Sequence, residues 1–203
     1  QRRKPMTTWT CKGPLAALGL VLLTACEGGQ GFGASSGAAK PPLSRAKMAG
    51  GVVLVAPDGF CIDQTSLEPR FAVVARCDGL GAPASAGAAP RGLITVSLTP
   101  SKSGLLPSAQ QIAAETALQN VSNVEKGENH VTFRAQGRIP VGGLSPNQWR
   151  GVARMGTQTA GIAVYGPERG DIASASGRGV LSQLITRSMK ASAPAQTTVA
   201  KRN

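Results

Sequence analysis

Gln148–Tyr165 reads QWRGVARMGTQTAGIAVY: two runs of mostly apolar and small residues, Gln148–Met155 and Thr159–Tyr165, separated by Gly156-Thr157-Gln158. Runs of this length around a short Gly-containing connection predict a β-hairpin. Upstream, Val131–Ala135 (VTFRA) alternates apolar and polar side chains. So does Leu93–Leu98 (LITVSL), with Ile94, Val96 and Leu98 set against Thr95 and Ser97. Period two is the mark of a half-buried strand. Two short apolar runs, Gly51–Ala56 (GVVLVA) before the turn signal Pro57-Asp58-Gly59 and Phe71–Ala75 (FAVVA), read as buried strands. Ser108 and Gln111 have capping-box spacing and predict a helix carrying Ala114, Ala117, Leu118 and Val121 on one face. Beyond the hairpin, Gly166–Asp171 (GPERGD) predicts an exposed turn, and Arg178–Met189 a helix with Val180, Leu181, Leu184 and Ile185 as its apolar stripe. About six strands joined largely by short turns, with two or three short helices, predict an α+β fold: a single, mostly antiparallel sheet with helices packed on it.

The N-terminal residues have a different character. Arg2, Arg3, Lys4 and Lys12 are followed by Pro14–Ala25 (PLAALGLVLLTA), which carries no charge. A basic segment followed by an apolar one, too short for the roughly 20 residues of a membrane-spanning helix, is the pattern of an export signal. It closes on Leu23-Thr24-Ala25-Cys26, which resembles the lipobox of bacterial lipoproteins. That resemblance implies a diacylglyceryl group on the Cys26 thiol, cleavage before Cys26, and attachment to a membrane of the bacterial envelope on its periplasmic face. Glu27, at the position where an aspartate would imply inner-membrane retention, favours the outer membrane. The expected organisation is a signal at 1–25, a Gly/Ala/Ser/Pro-rich tether at 26–46, an α+β domain at 47–189 and a disordered tail at 190–203. Gly59–Cys77 (GFCIDQTSLEPRFAVVARC) resembles a stretch of small alphaproteobacterial envelope proteins with a Gly-aromatic-Cys-x-Asp motif, a likeness that implies no activity. The order of elements is similar to the PsbP-like sandwich, which implies a fold and leaves function open.

The chain has seven aromatic residues in 203, so its core volume must come from Val, Leu, Ile and Ala. Four of its 22 basic residues and none of its ten acidic ones precede Cys26, so the net charge of +12 becomes 18 − 10 = +8 after cleavage. Such a charge attracts anionic surfaces. Nucleic acid is not the expected partner, because the arginines are dispersed and no aromatic stacking platform accompanies them. Of the four cysteines, Cys11 would leave with the signal and Cys26 would be acylated. Cys61 and Cys77 remain as a pair, and in an oxidising compartment a disulfide is expected. Fifteen intervening residues are not a CxxC redox motif, and one histidine cannot complete a zinc set.

No constellation in the chain points to catalysis, a cofactor or a metal. His130, the one histidine, falls with Thr132 and Arg134 on the polar side of its strand and reads as a surface residue. Asp58 and Asp63 are better explained as turn and capping residues than as paired carboxylates. The glycines of Gly28–Gly33 follow an export signal instead of a strand, so they are not a phosphate loop. The first expectation is a lipid-anchored, non-catalytic module that contacts an envelope protein, an anionic lipid surface or peptidoglycan. The alternatives are an envelope hydrolase and a small-ligand binder with a pocket between sheet and helix.

Overall fold

The computed structural model describes residues 40–83, 89–102 and 106–193. In chain order the strands and α-helices are β1 (Arg45–Lys47), β2 (Val53–Val55), β3 (Phe60–Ile62), β4 (Phe71–Arg76), β5 (Leu93–Pro100), α1 (Ala109–Glu115), β6 (Gln119–Lys126), β7 (His130–Gln136), β8 (Leu144–Met155), β9 (Gln158–Pro167) and α2 (Ala175–Ser192). The fold is α+β. Seven strands form the main sheet in the order β3-β4-β5-β9-β8-β7-β6, and β1 and β2 form a separate pair. Every neighbouring pair is antiparallel.

The β8–β9 hairpin forms the middle of this sheet, but its turn is tighter than expected. Met155 pairs with Gln158, leaving Gly156 and Thr157 as the two turn residues. Gly156 has φ +56°, the left-handed conformation that a two-residue hairpin needs at its first position and that a residue without Cβ adopts freely.

Register assigns side chains to the two faces. Ile94, Val96 and Leu98 of β5 pair with Val164, Ile162 and Ala160 of β9, which in turn pair with Trp149, Gly151 and Ala153 of β8. Residues that pair share a face. This first face packs against Leu181, Leu184 and Ile185 of α2, and Leu54 of β2 joins the same core. The expected stripe of α2 is borne out, with Val180 at its margin, and the helix extends beyond 178–189 at both ends. Two of its serines serve the β1–β2 pair: Ser188 Oγ accepts from Val55 N at 3.0 Å and Ser192 Oγ from Val53 N at 2.9 Å. They satisfy backbone donors on a strand edge that the main sheet does not reach. Residues 190–192, expected in the tail, are therefore helical. At the other end Arg45 and Ala46, expected in the tether, belong to β1, where Ala46 is buried.

The second face is covered by α1 only in part. Ala109, Ile112 and Ala113 pack on Val131, Phe133, Ala135 and Val152. The capping box is present, with Gln111 N donating to Ser108 Oγ and Ser108 N to Gln111 Oε1. The helix nevertheless stops at Glu115, and the face expected from Ala114, Ala117, Leu118 and Val121 does not form. Ala114 is exposed, Ala117 has left-handed φ of +52°, Leu118 is buried beyond the helix end, and Val121 belongs to β6. Strand β6 gives no period-two signal because it is bulged twice: Gln119, Ser122 and Glu125, three residues apart, pair with Gln136, Arg134 and Thr132, two residues apart. Asn120 and Asn123 absorb the extra residues with φ near +50°, a conformation asparagine tolerates better than most side chains.

Two further expectations are corrected. The run at 51–56 contributes only Val53–Val55, and these lie in the two-stranded pair outside the main sheet, where β4 has β3 and β5 as its neighbours. The turn at 166–171 is less exposed than expected, because Gly166 is buried under Ile172, whose side chain fills the space a Cβ would need.

Candidate functional site

Because α1 is only seven residues long, part of the second face stays open beside it. There β5 contributes Thr95, Ser97 and Thr99, and β9 contributes Thr159, Gly161 and Ala163. These small side chains floor a cavity of about 330 Å³, walled by Val152 and Arg150 of β8 and by Ile112, Glu115 and Thr116 at the end of the helix. The cavity adjoins a wider cleft of about 1090 Å³ that shares Thr99, Pro107, Glu115 and Thr159. Ser97 Oγ donates to the Gly161 carbonyl at 3.3 Å and Thr99 Oγ1 to the Thr159 carbonyl at 3.4 Å, so the floor is both small and polar.

Arg150 is the cation of this cavity. Its guanidinium carbon lies 5.5 Å from the centroid of the Tyr165 ring, a cation–π arrangement. Its Nε is buried without an acceptor. Among the described residues no carboxylate comes within ion-pair distance of it. Burial pushes the guanidinium's pKa down from its ordinary value, and Tyr165 acts in the opposite sense. The sequence offered no sign of this site, because Arg150 is one of many dispersed arginines and its neighbours come from three strands and a helix.

The residues singled out in the sequence do not gather at one place. Cys26, Glu27 and Gly28–Gly33 lie outside the described residues. Cys61 and Cys77 are joined by a disulfide with a Cα–Cα distance of 4.8 Å. Cys61 sits within β3, opposite Ala75, and Cys77 directly follows β4, so the bridge closes the antiparallel β3–β4 pair. His130 pairs with Ala153, on the face that carries α2, and so faces away from the cavity. Thr132 of the same parity is buried instead of solvated, because it pairs with Gly151 beneath Leu181 and Ile185.

Asp58 and Asp63 also stand apart. Asp63 behaves as a turn residue, accepting from Thr65 N at 2.9 Å. Asp58 forms a tertiary contact: Arg187 of α2 donates to both its carboxylate oxygens, at 2.7 and 2.6 Å. Hydrogen bonding to Arg187 holds the Asp58 carboxyl below its ordinary 3.8, and Arg76 does the same for Asp78. Burial pushes Asp63 up, but the hydrogen bonds from Thr65 and Ser66 outweigh it and the group also lies below 3.8. A carboxyl whose folded pKa is depressed contributes stability that is complete above its unfolded value and is lost as pH falls through the folded one. The melting temperature is therefore expected to decline below about pH 3.8, and the triple variant Asp58→Asn, Asp63→Asn, Asp78→Asn should decline less steeply than the parent. Equal acid slopes in the two proteins would rule out this assignment.

These features define an α+β protein built on one seven-stranded antiparallel sheet, with α2 across one face and a partly enclosed cavity on the other. No family model matches the chain, and no curated protein matches it. Among solved structures, the chain is similar to a point mutant of the protein Mog1, with 13% identity over 71% of this chain and 93% of that one and a TM-score of 0.42. A likeness at this level carries no functional argument. No α-helix among the described residues is long and apolar enough to cross a membrane.

Proposed function

We propose that this protein is an envelope lipoprotein, anchored through a lipid on Cys26, whose domain has a non-catalytic binding role at the membrane. The disulfide between Cys61 and Cys77 is the observation that supports export, since such bridges persist in oxidising compartments. The anchor itself rests on the resemblance of Leu23-Thr24-Ala25-Cys26 to a lipobox. Labelling cells with a palmitate analogue is expected to tag the protein, and Cys26→Ala to abolish both tagging and cleavage. A Cys26→Ala chain still cut at the same place would mean a secreted protein with no lipid anchor. Fractionation should place the wild type in the outer membrane, the assignment that Glu27 favours. The hydrolase alternative would need His130, and a His130→Ala chain of normal abundance that reproduces the deletion phenotype would favour it.

A second reading of the domain's role is small-ligand binding. It is favoured by the cavity between α1 and the sheet, where an apolar wall meets several hydroxyls and a single guanidinium.

A further inference from the structure

We propose that this cavity binds a small monoanionic acid, its carboxylate paired with the Arg150 guanidinium and its apolar part lying over Gly161, Ala163 and Val152. The proposal rests on the ligand-binding reading and names the chemistry of the ligand.

The first support is unbalanced charge. A guanidinium stays protonated in proteins, and removing a cation from water is costly unless an anion or a full set of acceptors replaces the water. Arg150 has neither. Its Nε is buried without an acceptor, its guanidinium meets the Tyr165 ring, and the three ion pairs among the described residues involve Arg76, Arg178 and Arg187. A planar carboxylate fits the guanidinium fork with two parallel hydrogen bonds.

The second support is the rest of the lining. Among the described residues Glu115 is the other charged residue lining this cavity, and it stands beyond ion-pair distance of Arg150, so it leaves the guanidinium free for an incoming carboxylate. A single negative charge can pair with Arg150, whereas a second within this cavity would face Glu115, since Lys102, Lys126 and Arg154 line only the adjoining cleft. Gly161 and Ala163 leave space above the sheet, and Ile112 and Val152 make the wall apolar. The volume of about 330 Å³ equals roughly eleven water molecules at about 30 Å³ each, enough for an acid of modest size.

The test uses the full chain purified in detergent, with the backbone amide resonances of Arg150, Gly161 and Ala163 followed by NMR during titration. Benzoate is the probe, benzyl alcohol its neutral counterpart and inorganic phosphate the second anion. Benzoate is expected to give saturable shifts at millimolar concentration and to bind more tightly than either of the others. Arg150→Gln should weaken benzoate roughly tenfold or more, given the strength of charge-assisted hydrogen bonds. Arg178→Gln, on α2 at the opposite face, should leave it unchanged. If Arg150→Gln does not fold, Arg150→Lys keeps the charge but loses the fork and should still bind several-fold more weakly. Benzyl alcohol binding as tightly as benzoate would overturn the anionic assignment and leave the ligand-binding reading standing. Tighter phosphate binding, or benzoate unaffected by the Arg150 variant that folds, would likewise overturn it. Failure of all three probes to shift the cavity resonances would remove both.

Discussion

Trp149→Ala is expected to lower the unfolding free energy by about 3–5 kcal/mol, the upper range for removing a large buried side chain. Trp149 is 2% exposed and lies where the middle of the sheet meets α2. Its indole Nε1 donates to the Ser174 carbonyl at 2.6 Å, just ahead of the helix. Truncation would therefore open a cavity and leave a polar group without its partner. The neighbourhood has little room to collapse, because α2 is seated through Gly177, where a Cβ would lie 1.8 Å from the Ile172 carbonyl oxygen and 2.6 Å from Trp149 Cδ1. Glycine costs helix propensity at that position, and its close approach explains why it is there. Urea denaturation of the variant and the parent measures the difference, with Val141→Ala as a control at an exposed site. A loss of less than about 1 kcal/mol, typical of an average substitution, would show that Trp149 does not hold the helix to the sheet.

Replacing both Cys61 and Cys77 by alanine is expected to cost about 3 kcal/mol, the chain-entropy value for a loop of roughly 15 residues. The two cysteines are 16 positions apart, so the bridge removes that much freedom from the unfolded chain. Its local effect should be largest at the sheet edge. Strand β3 has three residues and pairs with β4 alone within the main sheet, apart from a bridge between Leu43 and Ile62. Without the disulfide its amides should exchange with solvent faster, while those of the β8–β9 hairpin change in proportion to global stability only. A denaturation midpoint that reductant and the double substitution both leave unmoved would show that the bridge adds nothing to the fold.

Strands that bury one whole face were legible from local pattern. Ile94, Val96 and Leu98 alternate because one side of β5 meets the core, and the β8–β9 runs flank a glycine that must turn the chain. The stripe of α2 and the capping box of α1 were visible for the same reason: each depends on spacing within one segment. Strand β6 was not visible. Its bulges replace a period of two by one of three, and most of its side chains are exposed, so no apolar alternation remains to be read. Where α1 stops was also hidden, since the apolar positions 117, 118 and 121 continue a helical spacing that the left-handed Ala117 breaks.

The candidate site belongs to the second kind of information. The amino-acid order alone determined the α+β class, the pairing expected of Cys61 with Cys77, and the lipobox-like ending at Cys26. These follow from periodicity within a segment, from the number of cysteines left to pair, and from a contiguous motif. Tertiary structure decided that Asp58 meets Arg187 across 129 positions, that Ser188 and Ser192 serve the edge of β2, and that Arg150 stands over Tyr165 beside an open stretch of sheet. A cavity is space left between segments, and its charge balance depends on which side chains register brings to the same face. Neither property is written in any one stretch of the chain, because both arise only when distant strands pair and a short helix leaves part of a sheet uncovered.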